Sequence, residues 1–118
     1  MNQQVPQPVR HQWRGFLEVL TAKRAGQAVS VQFVSAERQG RLVADRDPLS
    51  HITYLERDDV LVVCVTSAGA DHVGREHIIE QPQQIIVDGS SPSTVRRIDI
   101  QGAEGARTQI TLHGDPGC

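Results

Sequence analysis

The run Val60-Leu61-Val62-Val63-Cys64-Val65 limits what this chain can fold into more than any other stretch. Six apolar residues stand without a polar break, and four of them are valine. β-branched side chains lose rotamer freedom in a helix, so such a run belongs in a strand. It is apolar on both faces and needs cover on both. That predicts the central strand of a covered sheet.

The flanking sequence supplies cover and neighbours. Val9, Trp13, Phe16, Leu17 and Leu20 recur at helical spacing and predict a helix over 8–25. Pro8 fits the first helical position, and Gly26 fits the left-handed position after the last turn. His11, Arg14, Glu18 and Arg24 are assigned to the other faces. Lys23 and Arg24 then form a solvated basic pair at the negative end of the helix dipole. Gly15 either weakens the helix interior or permits close approach of another element.

Val29, Val31 and Phe33 alternate with Ser30 and Gln32, which is the period of a half-buried strand. A polar turn at Glu37–Gly40 leads to a short strand over Arg41–Ala44, and Asp45-Arg46-Asp47-Pro48 is expected to break it. Leu49–Leu55 resumes the alternation, with Ile52 and Tyr54 on one face and His51, Thr53 and Leu55 on the other. Glu56–Asp59 turns the chain into the valine run, and Ser67–Asp71 is a loop. Segment 72–79 reads as a strand carrying Val73, His77 and Ile79, ended by Glu80-Gln81-Pro82. Ile85-Ile86-Val87 is a short buried strand. The plainest hairpin joins Val95–Ile100 to Thr108–Leu112 through Gly102-Ala103-Glu104-Gly105.

One helix and six or seven strands on short connections make an α+β fold, because parallel pairs would need long crossovers. We expect the helix to pack on a curved, mainly antiparallel sheet, or on a partly open barrel. A length of 118 residues fits a single domain over 1–118, with flexible ends at 1–7 and 114–118.

Three patches carry a resemblance. They are Trp13-Arg14-Gly15-Phe16-Leu17-Glu18, His77-Ile78-Ile79-Glu80-Gln81-Pro82, and Ile98-Asp99-Ile100-Gln101-Gly102-Ala103-Glu104-Gly105. In order and spacing they span most of residues 10–113. Together the chain resembles a family of small bacterial proteins described only as a domain of unknown function. It departs from that pattern before His77, where Gly74-Arg75-Glu76 replaces a Thr-rich strand opening. The resemblance implies a soluble, single-domain bacterial protein and no particular chemistry.

Candidate chemistry is sparse. His51, His72 and His77 are the weak candidates for a metal or His/acid catalytic site. Two histidines five apart on one strand point to opposite faces, which is poor geometry for one metal. Cys64 sits between valines and reads as an inert thiol. Ser90 and Ser91 lack a nucleophile elbow, and Gly69 and Gly74 lack a phosphate-binding pattern. No catalytic, cofactor-binding or metal residue is assigned, and no cofactor is expected. A net charge of −2 and four aromatic residues, Trp13, Phe16, Phe33 and Tyr54, argue against nucleic acid.

The reading that follows is a non-enzymatic protein-interaction or small-ligand-binding module. One alternative is a small enzyme around His51, His72 and His77. The other is a nucleic-acid binder, which would need Arg41, Arg96, Arg97 and Arg107 on one face near Tyr54. Two cysteines, Cys64 and Cys118, make no disulfide framework, and no long apolar span or leader is visible, so a soluble cytoplasmic protein is expected. Ile86 points away from Ile85 and Val87. That suggests a homodimer covering this strand, unless the helix or the Gly89–Ser93 loop covers it.

Overall fold

The computed structural model describes residues 7–35, 40–66, 74–89 and 91–113. The turn expected at 37–39, the loop at 67–71, His72, Val73, Ser90 and both ends lie outside the described residues. Helix α1 (Arg10–Arg24) is followed by strands β1 (Ala28–Val34), β2 (Gly40–Leu55), β3 (Val60–Thr66), β4 (Gly74–Glu80), β5 (Gln84–Val87), β6 (Arg97–Gln101) and β7 (Arg107–Leu112). The fold is α+β, as expected. All pairings are antiparallel, and the seven strands form one sheet in the order β4-β3-β2-β1-β7-β6-β5.

The valine run is a strand, but it is not central. β3 lies second from one edge, and β1 holds the middle. Leu61, Val63 and Val65 point into the core. Val62 is 8% exposed on the outer face, in register between Thr53 of β2 and Ile78 of β4. The second apolar row is therefore sheltered by side chains on neighbouring strands.

The expected break at Asp45–Pro48 also does not occur. β2 runs unbroken through 16 residues. Arg46 takes a left-handed φ of 57°, and the pairing with β1 skips residues there, a bulge that bends the strand. Pro48 is tolerated beside this irregularity, as proline in a sheet must be. The first part of β2 pairs with β1 and the second with β3. This bend folds the sheet over until β4 meets β7: His77 Nε2 lies 3.1 Å from Thr108 Oγ1. The sheet does not close into a barrel.

The helix starts two residues later than the spacing predicts. Val9 is extended at its N-cap, and Gln12 Oε1 accepts the Val9 N–H at 3.1 Å. The Pro8 carbonyl accepts the Trp13 indole N–H. Trp13, Leu17 and Leu20 are buried, with the Trp13 ring edge-on to Tyr54 at 5.2 Å. Gly15 has nothing within 4 Å of a would-be Cβ, so it permits no close approach. Gly26, at φ +89°, takes the left-handed position expected of it.

Arg24 departs most from expectation. It is 2% exposed, on the same face as Trp13, Leu17 and Leu20. Its Nη1 donates to the carbonyls of Pro92 (2.9 Å) and Val95 (2.8 Å), and its Nε to Gln27 Oε1 (2.6 Å). It ties the helix end to the segment before β6. Burial pushes its pKa down, and the field of Asp88 partly opposes that.

Candidate protein-interaction edge

Of the sequence candidates, His72 lies outside the described residues, and His51 and His77 do not converge. β3 pairs with β2 and β4 in a register that sets His51, Cys64 and Glu76 side by side on the outer face. His77 belongs to the inner face, in the row of Ile52 and Val63. Its ring meets Phe33 edge-on at 5.4 Å. Burial, and then the charge of Arg41, hold its pKa below the ordinary value. His51 is half-buried, with Nδ1 3.3 Å from Ser50 Oγ. His51 and His77 thus face opposite sides of the sheet. Among the described residues no three His, Cys, Asp or Glu side chains are grouped to hold a metal.

The arginines do not share a face either. Arg97 and Arg107 lie on the outer side of β6 and β7, and Arg107 pairs with Asp99 at 2.8 Å. Arg41 is in register with Phe33 on the inner side. Tyr54 points into the core and its hydroxyl donates to Asp59 Oδ1 at 2.7 Å. That bond and burial raise the Tyr54 pKa. Arg10 completes this cluster through Tyr54 Oη, Asp59 and the Pro82 carbonyl, and stacks on Trp13 at 4.7 Å. It clamps the helix start to the sheet.

The strand edges carry more information. An exposed edge offers unpaired N–H and C=O groups and invites another chain. Two of the edges here are closed by side chains. The Gln7 amide donates to the Val87 carbonyl (3.1 Å) and accepts the Val87 N–H (2.6 Å), standing in for a strand beside β5. Thr21 Oγ1 accepts the Ile52 N–H (3.0 Å) and donates to its carbonyl (3.2 Å), where β2 has left β1. Edge pairing through β5, one form of the expected dimer, therefore meets an occupied position at Val87. Ile86 itself is half-buried on the outer side, facing Asp99.

β4 is different. It pairs only with β3, and among the described residues no side chain is seen to hydrogen-bond to the backbone of its other side, although the His77 side chain itself reaches Thr108 of β7. Its outer row is Glu76, Ile78 and Glu80, all exposed, with Ile78 56% exposed. Alongside lies a groove of about 330 Å³ lined by Ile78, Ile79 and Glu80 of β4 and by Phe33, Ala103 and Ala106, with Gly102 and Glu104 beside them. Gly102 allows this arrangement, since a Cβ there would stand 3.2 Å from Ile79 Cγ2 and 3.5 Å from the Glu80 carbonyl. A second depression of about 590 Å³ continues past Gln81, Gln101 and Arg107.

A family model described as a family of unknown function, DUF5335, matches residues 2–115. The chain belongs to that family. The match includes all three patches that carry the sequence resemblance. No curated protein and no solved structure matches the chain. DUF5335 membership thus comes without an activity. No helix among the described residues is long and apolar enough to cross a membrane.

The open edge had a sequence signal. The segment Gly74–Glu80 alternates Glu76, Ile78, Glu80 with His77 and Ile79, a strand with one charged face. Which strand would lack a neighbour depended on sheet order, which pattern does not give.

Proposed function

We propose that this chain is a non-enzymatic protein-interaction module that takes up an extended segment of another protein on the edge of β4. The observation behind this reading is the contrast between edges: β5 and the second half of β2 are closed by Gln7 and Thr21, and β4 is left bare beside a groove. Main-chain hydrogen bonds to an edge strand supply affinity, and a flanking groove supplies side-chain selection. A cytoplasmic location belongs to the same proposal, since Cys64 and Cys118 build no disulfide framework.

Selection from a random octapeptide library, followed by amide chemical-shift mapping, tests it. The expected result is a binder whose shifts fall on 74–80 and 102–106. A library that yields no binder, or binders that map to α1 or to the outer face of β6 and β7, would overturn it.

A further inference from the structure

We infer that the segment taken up by β4 carries two basic residues four positions apart enclosing three apolar ones. This rests on the strand-addition reading above and names the partner's chemistry.

Residues directly opposite across a strand pair lie on the same face. A strand laid beside β4 therefore meets two rows. The outer row is Glu76, Ile78, Glu80 and the inner row is His77, Ile79, and the groove is bordered by Ile78, Ile79 and Glu80 at the end of the strand. Both glutamates are exposed, and neither is in an ion pair among the described residues. Glu104 adds a third carboxylate at the rim of the groove. Asp58 lies with Glu80 and Glu104 around an adjoining depression. Cations opposite Glu76 and Glu80 complete the outer row, and an apolar residue between them covers Ile78. On the inner row, the residue opposite Ile79 enters a groove lined by Phe33, Ala103 and Ala106, and the one opposite His77 lies beside the Phe33 ring that meets His77, so both positions select apolar side chains. Arg75, one position beyond, lies on the inner row, and Arg41 faces His77. A basic residue is thus excluded from the inner row and directed to the outer one.

The same charges argue against a second copy. Antiparallel pairing of β4 with itself about His77 sets each Glu76 diagonal to the partner copy's carboxylates. Like charges across an edge are what keep natural strands apart.

Three synthetic heptapeptides decide the matter: Ser-Lys-Val-Val-Val-Lys-Ser, the same with Glu for Lys, and the same with Gln for Lys, all with blocked ends. Binding is followed by fluorescence polarisation and by amide shifts of 74–80. The lysine peptide is expected to bind roughly fivefold tighter than the glutamine peptide, from two cross-strand charge pairs. The glutamate peptide should bind weakest. The preference should shrink in 0.5 M salt, where the screening length is only a few ångströms. In the Glu76→Lys/Glu80→Lys variant, with melting checked against the parent, the order of lysine and glutamate peptides should reverse. Equal binding of all three peptides would remove the charge inference and leave strand addition standing. No binding by any of them would remove both. A concentration-dependent dimer in sedimentation that Ile78→Lys dissolves would give the edge to a second copy and overturn the inference.

Discussion

Replacing Arg24 by Met tests the packing logic at its least obvious point. The exchange keeps most of the side-chain volume and removes the guanidinium. Three hydrogen bonds are lost, to the carbonyls of Pro92 and Val95 and to Gln27 Oε1. Val95 is fully buried, so water does not replace the donor to its carbonyl. An orphaned buried acceptor costs about 1–3 kcal/mol. The half-buried Pro92 carbonyl and Gln27 amide add about 1 kcal/mol together, because solvent reaches them. Against this stands relief from burying a cation that, among the described residues, makes no salt bridge and whose Nη2 has no hydrogen-bond partner. Burial lowers the Arg24 pKa, so that cost is present in the native state. Replacing buried charged groups with apolar ones is sometimes neutral when both partners change together. Here the carbonyls stay, so loss prevails: the gross cost of about 2–4 kcal/mol falls to about 1–3 kcal/mol net of that relief. For a domain of this size that is a fall in Tm of roughly 5–10 °C. Thermal and urea unfolding of Arg24→Met, with Arg24→Lys as the partial replacement, measure it. A Met variant as stable as the parent would show that the buried charge costs as much as its bonds return.

Thr21→Val keeps the shape of the side chain and strips both partners from the Ile52 backbone; we expect a loss of about 2 kcal/mol and faster hydrogen exchange at the Ile52 amide, and unchanged exchange there would disprove the closing role of Thr21. The His77 pKa is held below its ordinary value of 6.5, so the unfolded chain takes up that proton first. Stability is then complete above about 6.5 and falls as pH drops through the window down to the lowered native value. Melting scans from pH 7.5 to 4.5 should show this slope, and His77→Gln should flatten it while keeping a partner for Thr108.

The hairpin of β6 and β7, the face of the helix and the β5 triplet were all legible in the sequence, because local period and turn chemistry decide them. Arg24 was legible in principle, since it stands four residues after Leu20 and seven after Leu17, on the buried stripe. Its charge argued for solvent, and only the carbonyls of Pro92 and Val95, about 70 residues away, reverse that. The misplacement of β3 has a similar origin. An apolar outer row suggests a covering layer, yet lateral neighbours such as Thr53 and Ile78 shelter Val62 as well. The break expected at Asp45–Pro48 came from composition that marks a loop in isolation. A bulge at Arg46 accommodates the same residues within a strand that pairs with β1 there and with β3 immediately beyond. The two described histidine candidates separate for a reason of parity, because His51 on β2 and His77 on β4 occupy opposite faces of the sheet on either side of β3.

The middle strand β1 is made early in the chain, and one of its two neighbours, β7, is made last, with Val29 opposite Leu112. On a ribosome, which extends a chain by roughly 5–20 residues per second, β1 waits several seconds for that neighbour. During that interval the meander β1–β4 can form, with the far side of β1 bare and Val29 and Val31 uncovered. Such an order of synthesis gives slow, all-or-none completion and a window in which nascent copies can pair through the wrong strand. Fusing β5–β7 ahead of α1 by circular permutation would let β7 precede β1 and should shorten that window.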